Sequence, residues 1–209
     1  MTHGYSDHIN HALAFAAKYH DQQVRKGTRL PYLTRPANVA LILTRYGRDD
    51  ETVIAGILHD VVEDAGRTQH AGADVLERVE EKFGASVVTT LQGVSERRLD
   101  DDGVELSTDD RRDDYLERLG AARDAGRWLA AAATLHEAGG LLADLRRTDF
   151  PEVVWNRFAA GREGTILWYR RVHDRLRALG FTAPIMDELL LLVEELEQWR
   201  EPATRGGAR

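Results

Sequence analysis

Apolar residues recur along most of this chain every three or four positions, which is the spacing that places side chains on one face of an α-helix. Residues 6–20 illustrate the pattern, because Ile9, Leu13 and Ala16 fall on one side of such a helix. Similar patterns predict further helices over residues 36–46, 50–65, 72–83, 85–95, 109–123, 127–146, 151–159, 163–179 and 184–200. No alternation of apolar and polar residues is long enough to predict a sheet. The sequence therefore predicts an all-α protein, a single bundle of about eight to ten helices.

Glycines and polar runs separate the predicted helices. The glycines expected to end helices or to form turns are Gly84, Gly126, Gly161 and Gly180. The basic segment 21–35 and the polar segment 96–108, which contains an acidic run, are predicted to be loops. The 209 residues thus predict one helical domain over residues 1–200, followed by a disordered tail over residues 201–209.

The composition excludes several kinds of protein. The chain has no cysteine, so it has no disulfides, thiolate metal sites or cysteine nucleophiles. Its net charge of -7 argues against nucleic acid as the main partner, since phosphate binding needs a basic face. No apolar run approaches the roughly 20 residues that cross a bilayer, and the first residues lack the pattern of a secretory signal. We therefore expect a cytoplasmic protein that binds neither nucleic acid nor membranes.

One predicted helix concentrates ionisable groups on an otherwise apolar segment. Within residues 50–65, His59 lies one helical turn before Glu63, and Asp60 lies one turn before Asp64. The imidazole and the three carboxylates are therefore expected close together beside an apolar face. Carboxylates at this spacing repel one another unless a metal ion, a cationic side chain or a shared proton offsets their charge. The segment indicates a functional site that holds such a partner.

The first third of the chain carries several motifs in a characteristic order. They are FAAKYH at 15–20, RKG at 25–27, PY at 31–32, a proline at 36, and AGILHDVVED at 55–64. Over residues 5–66 the series resembles the HD-domain hydrolases of the Rel/SpoT type, including the small free-standing alarmone hydrolases. The resemblance implies an HD fold and a manganese-dependent 3′-pyrophosphohydrolase acting on guanosine tetra- and pentaphosphate. It also implies that Arg25 and Lys26 face phosphate groups, and that Glu63 and Asp64 handle the water and the proton.

The resemblance breaks down at the metal ligands. In the family, four residues hold the metal: a His before the proline that opens the second helix, the His-Asp pair, and an Asp on a late helix. The pair is present as His59 and Asp60, but Arg35 precedes Pro36 and Ala133 stands at the late position. Arginine has no lone pair to offer a metal, and alanine has no ligand atom. We therefore expect no cofactor, with His59 and Asp60 as metal ligands only if Mn²⁺ binds at all.

Arg35 offers a replacement for the missing cation. Its charge balances Asp60 as a divalent ion balances two Asp carboxylates, so we expect the guanidinium in the metal's place, paired with Asp60 or Glu63. Two alternatives stay open. Glu137, one turn after Ala133, would complete a rescued metal site with the His-Asp pair. Alternatively, Glu63 and Asp64 complete an ordinary salt-bridge network at the edge of the helix, with Arg25, Lys26 or Arg35 as partners.

The predicted site joins these positions to residues elsewhere in the chain. The predicted catalytic residues are Glu63 and Asp64. The predicted ligand-binding residues are Arg25, Lys26, Arg35, His136, Glu137 and Tyr169. Tyr169 would line the pocket and stack on a ring of the ligand. The expected ligand is a small molecule, phosphorylated or a nucleotide.

Three functions remain open from the sequence. The favoured interpretation is a metal-free enzyme in which Glu63 or Asp64 acts as acid or base and Arg35 clamps an anion or a carbonyl group. The second is a Mn²⁺-dependent nucleotide pyrophosphohydrolase with a patched metal site, and the third is a non-catalytic ligand-binding or regulatory protein. The leucine-rich segment 184–200 would pack into the core or join a second copy of the chain, so a homodimer is a further expectation.

Overall fold

The computed structural model describes residues 6–66, 69–100 and 102–199, and these residues form helices joined by turns and loops. The helices are α1 (Asp7–Tyr19), α2 (Thr34–Arg45), α3 (Asp50–Ala65), α4 (Gln69–Phe83), α5 (Ala85–Val94), α6 (Thr108–Ala121), α7 (Asp124–Arg147), α8 (Pro151–Trp155), α9 (Gly161–Ala178) and α10 (Ile185–Gln198). The longer loops lie between α1 and α2 and between α5 and α6. Within the described residues, β pairing is limited to two isolated bridges, Val24 with Pro31 and Leu99 with Glu105. The all-α prediction is confirmed. The tail predicted over residues 201–209 lies outside the described residues.

Local sequence signals explain where several helices begin. The side chains of Ser6, Asp49 and Ser107 accept hydrogen bonds from backbone N–H groups in the first turns of α1, α3 and α6. Gly84 turns the chain between α4 and α5 at a φ of 92°, a conformation that favours glycine. The prediction that Gly126 ends a helix is wrong. Gly126 is buried inside the first turn of α7, where a Cβ would lie 3.2 Å from Ala122 and from Val94.

Helix α3 lies at the centre of the bundle. Twelve of its sixteen residues are buried, and it packs against α1, α2, α4, α5 and α7. A helix that is apolar on nearly all sides must be surrounded by other helices, because no face of it is suited to water. His59 and Asp60 are polar groups on this central helix, 4% and 2% exposed. Their burial requires compensating partners from neighbouring helices.

The long helix α7 is the second central element. It packs against α2, α3, α5, α9 and α10, and a row of its alanines and leucines is buried. The predicted packing role of segment 184–200 is present, since Leu189, Val193 and Leu196 of α10 are buried in the core. Leu191 on the same helix is 65% exposed. Among the described residues, no helix is both long and apolar enough to cross a membrane.

Three elements converge around the polar part of α3. Helix α2 begins at Thr34, two residues earlier than predicted, so that Arg35 belongs to its first turn and precedes Pro36. Helix α7 passes beside this turn with Glu137 in its middle. The first turn of α2, the second half of α3 and the middle of α7 therefore form one site.

Candidate functional site

The guanidinium of Arg35 occupies the centre of the site and contacts three groups at once. Nη1 pairs with Oδ1 of Asp60 and lies 3.0 Å from Nε2 of His59. Nη2 donates to Oε1 of Glu137 at 2.5 Å. The pairing expected between Arg35 and Asp60 is therefore present, and the side chain of Arg35 is only 15% exposed. The cationic partner required by the acidic segment of α3 is an arginine of α2.

The hydrogen bonds of His59 define its protonation state. Nδ1–H donates to the carbonyl oxygen of Gly56 at 2.7 Å, which leaves the lone pair of Nε2 to accept from Arg35. Burial and the adjacent Arg35 cation lower the pKa of His59 to about 3. His59 is therefore neutral at physiological pH, and its Nε2 lone pair is directed at the guanidinium.

The charge of Arg35 is fixed by its surroundings. Burial opposes the charged form, but the carboxylates of Glu137 and Glu63 outweigh it, so the pKa of Arg35 lies above its already high ordinary value. Asp60, in contact with the guanidinium, is 2% exposed, and its second oxygen, Oδ2, is buried without a hydrogen-bond partner among the described residues. A buried carboxylate with one unmade bond depends strongly on its cationic partner.

The donor set at this position does not fit a divalent cation. A metal site needs three or more lone pairs directed at one point. Here the lone pairs of His59, Asp60 and Glu137 are directed at the nitrogens of Arg35, and Ala133 contributes no ligand atom. Within the described part of the chain, no group of three or more His, Asp or Glu residues is arranged to hold a metal ion. Glu137 serves as a partner of the arginine in this arrangement.

A polar recess opens beside the guanidinium. Its volume is about 150 Å³, and its walls include Arg35, His59, Glu63, Tyr115 and Glu137. Burial raises the pKa of Glu63 to about 7, although Arg35 and a hydrogen bond from the backbone N–H of Glu96 at 3.1 Å oppose the rise. A carboxyl with such a pKa is present in both protonation states near neutral pH.

The recess adjoins a larger cavity with basic walls. This cavity has a volume of about 450 Å³ and shares Arg35, Glu96, Glu137 and Trp168 with the recess. Its basic lining residues are Arg25, Lys26, Arg35, Arg98, Arg111, Arg112 and Arg157, and its acidic lining residues are Glu96, Glu137 and Asp144. Within the described residues, no carboxylate forms an ion pair with Arg25, Lys26, Arg98 or Arg112. The cavity is therefore suited to an anion, despite the net negative charge of the chain.

Aromatic residues form one side of the same cavity. Tyr169 is 2% exposed and lines it, and Trp168 beside it stacks edge-on against Tyr115 at 5.5 Å. The Arg112 guanidinium lies 5.3 Å from the centre of the Trp168 ring. Tyr169 thus reaches the cavity, as predicted; its role in binding a ring remains a prediction.

The structure separates some of the predicted site residues. The two acidic positions of α3 diverge, because Glu63 lines the recess whereas Asp64 lines a shallow depression beside Tyr19 and Tyr32. His136 lies next to the cavity without lining it, with Nε2 buried and without a hydrogen-bond partner among the described residues. Burial and the nearby cations Arg25 and Arg35 together lower the pKa of His136 to about 4. Neither Asp64 nor His136 lines the cavity or the recess, and their predicted roles remain predictions.

Several lining residues were missing from the predicted site. Arg111, Arg112 and Tyr115 belong to α6, whose dense charges predict a solvated face. The sequence does contain a signal for this helix, because Tyr115 and Leu119 lie one turn apart among its charged residues. Arg157 follows α8 and reaches the cavity only through the packing of distant segments.

Comparison with known proteins agrees with this geometry. The sequence pattern described as the HD domain matches residues 12–121, which is slightly more than half of the chain. The chain belongs to the HD domain family. A guanosine-3′,5′-bis(diphosphate) 3′-pyrophosphohydrolase of Aquifex aeolicus is 40% identical over 91 residues, covering 44% of this chain and 12% of that protein. The bifunctional (p)ppGpp synthase/hydrolase SpoT of Escherichia coli is 37% identical over 87 residues, covering 42% of the chain and 11% of SpoT.

Two solved structures share the fold of this HD-family chain over most of its length. A metazoan ortholog of SpoT, described as hydrolysing ppGpp, matches with a TM-score of 0.70 and 25% identity, covering 93% of this chain and 98% of that one. A crystal structure of a Listeria monocytogenes protein matches with a TM-score of 0.64 and 24% identity, covering 79% and 99%. The resemblance to the Rel/SpoT type is confirmed. The curated relatives quoted above are much longer proteins, of which the matched segment spans about an eighth.

Proposed function

We propose that this chain is a diverged HD-domain protein that binds a phosphorylated small molecule without a divalent metal and acts on it by acid–base chemistry. The observation that carries the proposal is the placement of Arg35, whose guanidinium is bound by His59, Asp60 and Glu137. A cation built into the chain supplies the positive charge that a ligand phosphate needs at the floor of the cavity.

The character of the cavity supports a phosphorylated ligand. Basic side chains outnumber acidic ones along its walls, and Arg25, Lys26 and Arg112 are not neutralised by carboxylates of the described residues. Arginine and lysine are the side chains that bind phosphate most strongly, because they combine positive charge with several hydrogen-bond donors. Relatives are named for hydrolysis of guanosine 3′,5′-bis(diphosphate). Guanosine polyphosphates are therefore the first ligands to test, and a cytoplasmic location belongs to the same proposal.

Glu63 is the acid–base group of the proposed mechanism. It lines the recess next to Arg35, and its pKa of about 7 allows it to accept a proton and to return it at neutral pH. Arg35 stabilises negative charge that develops on a ligand beside Glu63, as a preorganised cation does without rearrangement. Asp64 is not needed for this chemistry, since it lines the separate depression.

The test combines binding, turnover and metal dependence. Guanosine tetraphosphate is titrated calorimetrically into the full chain, with EDTA or with Mn²⁺, and product formation is followed by chromatography. We expect binding and turnover in EDTA, with turnover lost in Glu63→Gln and kept in Glu51→Gln. Glu51 is a matched control, because it is an exposed carboxylate at the other end of α3.

Each outcome separates the three functions. Turnover that requires Mn²⁺ and disappears in EDTA would overturn the metal-free mechanism. Binding in EDTA without turnover of the bound ligand would identify a non-catalytic binder, in which Glu63→Gln changes only the affinity. Absence of binding to any phosphorylated compound would refute the assignment of the cavity itself.

A further inference from the structure

Three arginines from separate segments lie along one edge of α7. Arg35 pairs with Glu137, Arg25 lies over Gly140, and Arg157 pairs with Asp144. Positions 137, 140 and 144 follow one another on a single helix face, since residues three and four apart are neighbours. We call Arg25, Arg35 and Arg157 the arginine row.

The middle of the row differs from its two ends. At the ends, Arg35 Nη2 donates to Glu137 at 2.5 Å and Arg157 Nη1 donates to Asp144 at 2.6 Å. In the middle, Gly140 has no side chain, and a Cβ built there would lie 3.9 Å from Nη2 of Arg25. Within the described residues, Arg25 has no ion-pair partner. The row therefore carries an unbalanced positive charge at its centre, on the wall of the cavity.

The row spans a length that a single phosphate does not cover. The seven steps along α7 from Glu137 to Asp144 rise about 10 Å along the helix axis. All three arginines line the same cavity. An anion that contacts the whole row must therefore carry negative charge at more than one point.

Arg157 is packed directly on the turn that carries Arg25. Gly27 adopts a φ of 73°, and a Cβ there would lie 2.6 Å from Nε of Arg157 and 2.8 Å from its Cδ. This Nε is buried and has no hydrogen-bond partner among the described residues. The glycine thus allows the Arg25–Lys26 turn and the Arg157 side chain to meet closely, so that both approach α7 together.

We propose that the arginine row binds a linear oligophosphate group and that Arg157 is the residue that distinguishes longer phosphate chains from shorter ones. The proposal rests on the proposed function, because it takes the ligand of the cavity to be phosphorylated. The centre of the chain binds Arg25 over Gly140, and one end reaches Arg35. When the chain is long enough, its other end replaces Asp144 as the partner of Arg157, since phosphate oxygens and carboxylates accept the same pair of guanidinium hydrogens.

The test uses inorganic orthophosphate, pyrophosphate and triphosphate as probes, titrated calorimetrically into the full chain in EDTA. We expect the affinity of the wild type to rise with chain length. Arg157→Gln should weaken triphosphate binding about tenfold, the loss expected for one charge-assisted hydrogen-bonding partner. Orthophosphate affinity should change by less than about twofold. A single phosphate bound at Arg25 does not reach Arg157, and solvent ions largely screen the remaining interaction between the two charges.

Arg146→Gln is the matched control. It removes the same charge from α7 two residues beyond Asp144, which places it on the opposite side of the helix, where Arg146 pairs with Glu195 on the surface. Both side chains of that pair are about half-exposed. This variant should bind triphosphate as the wild type does. Equal triphosphate affinity in Arg157→Gln and Arg146→Gln would overturn the role of Arg157.

A second pair of variants tests the row without touching Arg157. Gly140→Asp adds a carboxylate beside Arg25 and should weaken pyrophosphate and triphosphate at least about tenfold, whereas Gly140→Ala meets no clash and should bind normally. Unchanged triphosphate binding in Gly140→Asp would refute the proposal that the arginine row binds oligophosphates, even if Arg157→Gln did not fold. A wild type that binds none of these phosphates or guanosine tetraphosphate would refute the proposed function instead.

Discussion

Replacing Arg35 by methionine removes the cation from the centre of the site while keeping most of the volume of the side chain. The change leaves Asp60 as a carboxylate that is 2% exposed and has no cationic partner in contact. It also releases Glu137, which is 34% exposed and can be hydrated. The main cost therefore falls on Asp60.

The expected loss of stability follows from this burial. Removing one partner of a buried ion pair lowers the free energy of unfolding by about 3–5 kcal/mol, because an uncompensated charge remains inside. Loss of the Arg35–Glu137 pair lowers the free energy of unfolding by less than about 1 kcal/mol more, because Glu137 is partly exposed to water. For a chain of this size, the melting temperature should fall by about 6–20 °C.

The assay is urea unfolding of the full chain at pH 7, followed by circular dichroism. The control is Arg45→Met, which breaks the pair between Arg45 and Glu188, whose side chains are 55% and 47% exposed. It should cost no more than about 1 kcal/mol. Adding Asp60→Asn to Arg35→Met should restore part of the lost stability, since the amide carries no charge. A loss in Arg35→Met as small as that in Arg45→Met would refute the reasoning.

Three further predictions concern the metal site, the pH dependence and the basic turn. Arg35→His combined with Ala133→Asp should restore a four-ligand set and give stoichiometric Mn²⁺ binding by calorimetry. Burial raises the pKa of Glu63 from 4.5 to about 7. Its contribution to the unfolding free energy is therefore fully present below about pH 4.5 and is lost as the pH rises to 7. Glu63→Gln should therefore gain about 1–3 kcal/mol in unfolding free energy, relative to the wild type, between pH 5 and pH 8. Gly27→Ala should lower the unfolding free energy by at least about 1 kcal/mol in urea unfolding, because of its positive φ and its contact with Arg157.

Each of these predictions has its own control. For the metal site, the single change Arg35→His should bind Mn²⁺ far more weakly than the double variant; equal affinity would mean that position 133 is not a ligand position. For the pH effect, the quantity to compare is the difference in unfolding free energy between Glu63→Gln and the wild type at each pH. The lowered pKa of His59 makes both proteins less stable as the pH falls below about 6.5, and the difference removes this shared effect. For the basic turn, Gly47→Ala has a similar φ of 67° and no neighbour within 4 Å, so a loss in Gly27→Ala no greater than in Gly47→Ala would remove the contact with Arg157 as its cause.

The helices were predictable because most of them bury a regular apolar face. α3 and α7 follow the predicted ranges within a few residues, because both are long runs rich in Ala, Val, Ile and Leu that neighbouring helices bury on most sides. The error at Gly126 has a physical reason. Its missing side chain permits close packing on Ala122 and Val94, and a sequence does not distinguish a glycine needed for packing from one needed for a turn.

The site was predictable where the chain itself fixes neighbouring positions. Arg35 could be placed because the resemblance puts a metal ligand directly before the proline of α2, and His59 and Asp60 because they are neighbours on one helix with an apolar face. Arg157 could not be placed, since its partners are Asp144, thirteen residues away, and Gly27 at the other end of the chain. The divergence of Asp64 from Glu63 also depends on which helices pack beside α3.

The guanidinium at the centre of the site is covalently part of the protein. A metal ion occupies its site only to the extent that its concentration and the competing chelators allow, whereas Arg35 is present once in every molecule. Its positioning is completed during folding, when the His59, Asp60 and Glu137 contacts form. The positive charge that Arg35 contributes to this pocket therefore does not depend on the supply of manganese or any other divalent ion.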